Sequence, residues 1–169
     1  MVEPSKVKEM TDRYAVQNSK FRIFLKKNAD PKKLDEQFHD LHNEIFYRDE
    51  YDCCKCNNCC KLYDIRLEQK DIATISEYLG QTEDDFIEKY LMPDKDEADC
   101  LIFKDKPCSF LGADGKCRIY ESRPTVCREF PHTNKPDRLY SMLSILDFME
   151  DCPVIYEIIE SLKKIYDFK

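Results

Sequence analysis

Glycine is scarce in this sequence and tryptophan is missing: three glycines and no tryptophan occur in 169 residues. The motifs that place glycine around a phosphate or a nucleophile do not occur, whether P-loop, Rossmann pattern or Gly-x-Ser-x-Gly elbow. No apolar run is long enough to cross a membrane, and the N-terminus has no signal-peptide pattern. No repeat or low-complexity segment is visible. These absences predict an ordinary globular protein in the reducing cytoplasm, with no membrane partner.

Positively charged residues are also fewer than acidic ones. Lysine and arginine number 27 against 34 acidic residues, which gives a formal net charge of −7 at pH 7. Bound thiolates would make the chain more negative still, since four thiolates outweigh one divalent ion. We therefore expect no nucleic-acid partner. The length fits one domain with a sizeable core.

Cysteine, by contrast, is abundant, with ten residues. Half of them lie in one segment of eight residues, 53–60, which we call the cysteine array and which contains Cys53, Cys54, Cys56, Cys59 and Cys60. Each Cys-x-x-Cys step lets a tight turn direct two sulfurs at one ion. The Cys-x2-Cys-x2-Cys run also matches the three-ligand run of ferredoxin-type [4Fe–4S] sites. A disulfide knot or buried small hydrophobes are the alternatives, but so many cysteines make a poor core segment, so metal is favoured.

A second cysteine-bearing stretch covers residues 107–131. Two short apolar runs flank Gly112-Ala113-Asp114-Gly115, which is a strong hairpin signal and would bring Cys108 and Cys117 close together. Pro124 can begin a helical turn that presents Cys127. Further on, Cys152 precedes Pro153 at a helix boundary. We expect the sulfurs of this stretch and of Cys152 to converge with those of the array.

The remaining periodicity predicts an α+β, mostly helical fold with a small β-hairpin and C-terminal helices. Residues 1–52 form an N-terminal helical hairpin, part of the same domain as a cysteine-cluster region at 53–169. Its first helix covers 5–25, and Asp30 caps a second helix that begins at Pro31 and runs to about Tyr47. His39 and His42 are assigned to a solvated face of this helix. The other expected elements are strands at 62–67 and 101–104, helices at 68–79, from Thr82, at 138–150 and at 154–166, and a polar loop at 92–97.

The motifs together resemble a known family. Cys-x-x-Cys-x-x-Cys-Cys at 53–60, Pro-Cys-x-Phe-Leu at 107–111, Lys-Cys-Arg-Ile-Tyr-Glu-Ser-Arg-Pro at 116–124 and Cys-Arg-Glu-Phe-Pro at 127–131 occur in the order seen in the YkgJ-type cysteine-cluster family. That family is described as a zinc- or iron-chelating domain and is often labelled an iron–sulfur protein. The resemblance, over about 53–153, implies zinc or iron as cofactor, a [4Fe–4S] cluster included. The implied ligands are eight: Cys53, Cys56, Cys59, Cys60, Cys108, Cys117, Cys127 and Cys152.

Several assignments stay open at this stage. Eight thiolates would serve two tetrahedral sites of four, and the adjacent Cys59 and Cys60 either serve different metals or one of them bridges. Cys54 and Cys100 fall outside the pattern, and His132 is only a weaker candidate ligand. Three arginines among the ligands either compensate thiolate charge or pair with surface acids: Arg118, Arg123 and Arg128.

Three function classes remain. The first is a metal-cluster protein, either an iron–sulfur redox or sensing module or a zinc-stabilised scaffold. The second is a metal-dependent group-transfer enzyme, since flagellin lysine methylases look similar in their cysteine cluster; no methyl-donor site is recognisable, and the catalytic residues are unknown. The third is an adaptor in which metal holds the fold and the N-terminal helices bind a protein partner. Radical-SAM spacing is absent, and the βαβ pattern of a thioredoxin-like site is missing.

Overall fold

The computed structural model describes residues 2–49, 51–97 and 99–169. It confirms the predicted α+β, mostly helical fold class. In chain order the helices are α1 Pro4–Arg13, α2 Ala15–Asn28, α3 Pro31–Phe46, α4 Cys53–Cys56, α5 Asn58–Leu62, α6 Gln69–Leu79, α7 Glu83–Tyr90, α8 Thr125–Glu129, α9 Met142–Met149 and α10 Pro153–Ile165. The strands are β1 Arg66–Leu67, β2 Leu91–Pro93 and β3 Leu101–Phe103.

The chain divides into two compact units. We call Met1–Asp52 with Pro131–Lys169 the helical unit, and Cys53–Phe130 the cysteine unit. The division expected from the sequence, at 1–52 and 53–169, remains a prediction about how the chain folds. Among the described residues, no helix is both long enough and apolar enough to cross a bilayer.

The helical unit is built around α3 and α10, which pack against each other. The Asp30 carboxylate accepts a hydrogen bond from the Lys33 N–H at 2.9 Å, and Pro31 occupies the first turn, as predicted. Apolar residues spaced by three and four line the inner face of each helix because that spacing returns to one side of an α-helix. The buried apolar residues with this spacing include Leu34, Phe38, Leu41 and Ile45 on α3, and Ile155, Ile158, Ile159 and Leu162 on α10.

Three expectations about this unit are wrong. The single helix expected at 5–25 is interrupted at Tyr14 (φ −108°, ψ 15°). The break cannot be recognised from the sequence, because the buried residues Thr11 and Asn18 on either side of it keep a helical spacing. The helix expected at 138–150 begins only at Met142 and buries Met142, Ile145 and Met149. It leaves Leu143, one of the apolar residues on which the helix was predicted, 57 % exposed, since an almost wholly apolar segment offers two possible faces.

His42 is the third correction, because it is buried and not solvated. Its Nδ1 lies 2.8 Å from the Thr133 Oγ1, and its ring stacks on Phe46. His39 is exposed, as expected.

The cysteine unit contains an antiparallel sheet of order β1-β3-β2, in which Arg66 pairs with Ile102 and Met92 pairs with the same residue from the other side. Gly80 ends α6 with a left-handed φ of 66°, as predicted. Thr82 begins α7, also as predicted, and its Oγ1 accepts a hydrogen bond from the Asp85 N–H. A loop was expected at 92–97, but Met92 and Pro93 belong to strand β2. They form a strand because they pair with β3, which follows later in the sequence. The core consists of Leu67, Ile72, Ile75, Phe86, Leu91, Phe103, Phe110 and Ile119.

Candidate metal centre

The cysteine array consists of two short helical turns, α4 and α5. Asn57 joins them in the left-handed region, at φ 56°, and its side-chain amide donates to the Cys54 carbonyl at 2.7 Å. Asparagine tolerates this conformation better than most residues. Neither turn has a buried side chain of its own, so the apolar core does not anchor α4 or α5.

The 107–120 hairpin brings its cysteines to the array. The Cys108 N–H donates to the Cys60 carbonyl at 2.9 Å, and Leu111 forms an antiparallel bridge with Cys117. Phe110 and Ile119, each two residues beyond a cysteine, are buried in the core of this unit. Cys108 and Cys117 themselves are half-buried and pack against that core. The predicted convergence of these two residues is therefore visible in the hairpin.

The sulfurs of Cys59 and Cys60 lie 4.0 Å apart. Two thiolates on one tetrahedral zinc, each ~2.3 Å from the metal, have sulfurs about 3.8 Å apart. The adjacent pair is thus spaced for a shared ion, although the sequence alone suggested separate metals or a bridge. The hydrogen bond between the two sulfurs lowers the pKa of Cys60, and the positive charges of Lys61 and Arg123 lower it further. The same hydrogen bond raises the pKa of Cys59.

The thiols of Cys108, Cys117 and Cys127 interact electrostatically with Cys60. Burial raises the pKa of Cys127 to about 12, and negative charge on Cys60, Cys108 and Cys117 adds to the effect. Burial also raises the pKa of Cys108 and of Cys117. Such mutual effects require close thiols, and a cation bound among them would reverse the effect by favouring thiolates.

Backbone N–H groups already favour the thiolate form at the hairpin. The N–H groups of Phe110 and Leu111 lower the pKa of Cys108, and the N–H of Ile119 lowers that of Cys117, against the larger effect of burial. Hydrogen bonds of this kind orient metal ligands and stabilise their charge.

One of the three arginines stands out. The Cys59 hydrogen bond lowers the pKa of Cys60, and the positive charge of Arg123 adds to that effect. Burial raises the pKa of Cys117 and of Cys127, and Arg123 partly offsets both rises. Its guanidinium lies 4.0 Å from the centre of the Tyr120 ring. Arg118 instead donates to the Ser109 carbonyl, and Arg128 to the Arg123 carbonyl. Charge compensation of thiolates is therefore visible at Arg123.

Seven of the eight predicted ligands belong to the cysteine unit, and Cys152 belongs to the helical unit. Cys152 is buried there and immediately precedes α10, so its role as a ligand stays a prediction. His132 also belongs to the helical unit, where its carbonyl accepts from the Arg138 Nη1. Cys100 donates to the Glu97 carboxylate, whereas Cys54 lies near enough to Cys117 to raise its pKa.

All ten cysteines are free thiols. Among the residues that the structure describes, no group of three or more His, Cys, Asp or Glu side chains is arranged to hold a metal ion. Binding therefore requires the cysteine side chains to turn towards a shared ion. Zinc and iron–sulfur sites use cysteine thiolates as ligands. The free thiols supply such ligands here, and the N–H donors to sulfur and the Arg123 cation would stabilise their negative charge.

Two residues of this region have structural roles that were not predicted from the sequence. Asn57 links the two turns of the array, and Asp71 on α6 accepts hydrogen bonds from Thr125 on α8. An isolated asparagine in the middle of a cysteine run is a weak signal of a left-handed residue. The Asp71–Thr125 contact spans 54 residues and leaves no local signal.

The sequence of this region is similar to that of known proteins. A family model, CxxCxxCC, described as "Putative zinc- or iron-chelating domain", matches residues 52–153. An uncharacterized protein of Methanocaldococcus jannaschii is 32% identical over 84 residues, which cover 49% of this chain and 45% of that protein. The chain thus spans less than half the length of this relative. No solved structure matches the chain.

Proposed function

The chain belongs to the CxxCxxCC family of zinc- or iron-chelating domains, and on that premise we propose that its cysteine unit binds zinc or iron through a thiolate centre. The proposed ligands within this unit are Cys53, Cys56, Cys59, Cys60, Cys108, Cys117 and Cys127. Cys152 completes the set of eight that the family pattern implies. The family assignment and the richness in cysteine support metal binding, and the ligand set is our proposal.

The hydrogen bond from the Cys108 N–H to the Cys60 carbonyl carries this proposal. It joins two cysteine-bearing segments that are far apart in the sequence, next to a pair of sulfurs 4.0 Å apart. Burial alone gives no reason to gather so many ionisable thiols, because negative charge on Cys60, Cys108 or Cys117 raises the pKa of Cys127. A bound cation offsets that repulsion, since it binds the deprotonated form.

The triplet Cys53, Cys56 and Cys59 favours a [4Fe–4S] cluster as the metal form, because its spacing is that of ferredoxin-type ligands. Such a cluster supplies one-electron transfer when bound, whereas a zinc ion held by four thiolates has no open position and stabilises the fold. In either form, the role of these residues is to hold the metal with sulfur and to shield it with the hairpin. We place the protein in the reducing cytoplasm, where ten free thiols persist.

Metal content of cysteine variants tests the proposal. Protein purified without oxygen should contain zinc or iron at a fixed ratio, and a visible charge-transfer absorbance would identify iron–sulfur. Cys56→Ser and Cys117→Ser should each lose most of the metal, because serine is a poor substitute for thiolate at neutral pH. The measurement is the metal-to-protein ratio by elemental analysis.

Cys54→Ser and Cys100→Ser are the matched controls and should keep full metal. Cys54→Ser is the stricter of the two, since Cys54 lies within the array and acts on the pKa of Cys117. Full metal in Cys56→Ser would refute the array as a site.

A further inference from the structure

We propose that Asp71 is a positioning residue for the metal centre, which it serves by fixing the short helix that carries Cys127. This inference rests on the proposed metal-binding function. Asp71 lies on α6, is only 6 % exposed, and belongs to none of the cysteine motifs. Its role follows from three hydrogen bonds and from the weakness of α8 on its own.

Both carboxylate oxygens of Asp71 are used. The Oδ1 accepts from the Thr125 N–H and from the Thr125 Oγ1, each at 2.9 Å. The Oδ2 accepts from the Glu68 N–H at 3.0 Å, which caps α6. A buried carboxylate that accepts three such bonds is firmly held, because hydrogen bonds to charged groups are the stronger ones.

Helix α8 depends on this carboxylate. It has five residues, none of them buried, and a helix this short does not form by itself. Its N-cap residue is Pro124, which has no side-chain cap hydrogen bond. Asp71 takes over the capping role at Thr125, the first residue of α8, where a negative charge suits the helix dipole.

The sulfur ligand follows two residues later, at Cys127. Asp71 in turn belongs to a helix whose Ile72 and Ile75 are in the core of the same unit. The Asp71 carboxylate thus links the folded core to the position of one metal ligand, alongside the packing of Phe130 on Tyr63 at the other end of α8. Removing it should leave the core intact and release α8, so that Cys127 reaches the metal less often.

Cobalt(II) is a suitable probe, because its sulfur-to-metal charge-transfer absorption grows with the number of thiolate ligands. The metal-free full chain is titrated with cobalt(II) in the absence of oxygen. Asp71→Ala should weaken cobalt binding about tenfold, the lower end of what groups supporting a ligand contribute. Its charge-transfer absorption per bound cobalt should fall towards that of Cys127→Ser. Asp71→Asn keeps one acceptor oxygen for Thr125 and should recover part of both signals.

The matched control is Thr82→Ala, which removes the cap of α7 in the same unit, where the Thr82 hydroxyl bonds to Asp85 of its own helix. It should lower the melting temperature and keep the cobalt affinity and spectrum of the wild type. Should Asp71→Ala fail to fold, Thr125→Val removes one of the two bonds to α8 and should shift both signals in the same direction.

The outcomes separate this inference from the proposed function. A wild-type affinity and spectrum in Asp71→Ala would overturn the positioning role and leave the metal centre standing. An affinity loss equal to that of Thr82→Ala, with an unchanged spectrum, would also overturn it, since general destabilisation would then explain the result. A wild-type chain that shows no cobalt charge-transfer absorption, and that contains neither zinc nor iron when purified without oxygen, would overturn the metal centre itself.

Discussion

Gly115 has a left-handed φ of 79° in the hairpin turn, where its backbone lies directly against the cysteine array. A Cβ there would collide with the Cys54 carbonyl oxygen and lie 2.9 Å from the Asn57 Nδ2. We predict that Gly115→Ala destabilises the protein by the left-handed strain of about 1–2 kcal/mol, plus about 1–3 kcal/mol of overpacking. Chemical denaturation measures the free energy of unfolding.

Gly80→Ala is the matched control for this change. Gly80 has nearly the same φ, 66°, but no atom lies within 4 Å of the position of its Cβ. It should therefore incur only the left-handed strain. Equal losses in the two variants would mean that the contact between the hairpin turn and the array contributes nothing.

His42 should give the protein a pH-dependent stability. Burial, and to a smaller degree the nearby His39, lowers the pKa of His42 below its ordinary value of 6.5. The folded state therefore favours the neutral ring, whereas the unfolded chain takes up a proton more readily. The contribution of His42 is fully present above pH 6.5 and is lost as the pH falls from there through the lowered pKa.

The test compares unfolding curves of the wild type and His42→Gln on both sides of pH 6.5. The wild type should lose more stability than the variant upon acidification. His39→Gln, on the exposed face of the same helix, removes only the smaller cause and should retain most of the wild-type pH dependence. A steeper acid loss in His42→Gln than in the wild type would contradict the assignment.

At the scale of elements, the helices of the cysteine unit differ in what holds them. Helices α4, α5 and α8 carry no buried side chain, whereas α6 and β3 contribute directly to the core. We predict that chelation of the metal exposes the backbone of residues 53–62 and 125–129 and leaves α6 and β3 protected. Hydrogen exchange read by mass spectrometry, with and without chelator, measures this difference. Peptides of α10 serve as the internal control, and identical exchange of the array in both states would contradict the prediction.

The caps at helix ends were predicted correctly because their partners lie nearby in the sequence. Asp30 caps α3 by bonding to Lys33, and Gly80 ends α6, so each signal lies within one turn of its effect. Strand β2 and the buried face of α9 could not be found in this way, because a distant segment decides them. At the candidate site, the spacing of the cysteines could be read directly, but the support of Cys127 by Asp71 depends on tertiary contact.

At the scale of the whole molecule, the family match extends beyond either unit. It covers residues 52–153, and so includes all of the cysteine unit and the first part of the C-terminal segment of the helical unit. Helices α1, α2 and α3 lie outside the match. Binding of a protein partner by these N-terminal helices stays a proposal, as does the use of Cys152 as a ligand.

The backbone hydrogen bond between Cys108 and Cys60 has a further consequence for the unfolded chain. The segment between these residues contains the three strands together with α6 and α7. A metal held by thiolates of both segments would tie the ends of this segment into a ring. Loop closure removes conformational entropy from the denatured ensemble and gains more for long loops, which is how a disulfide stabilises a secreted protein. Here the cross-link would be reversible and governed by metal supply, so a reducing compartment would not break it.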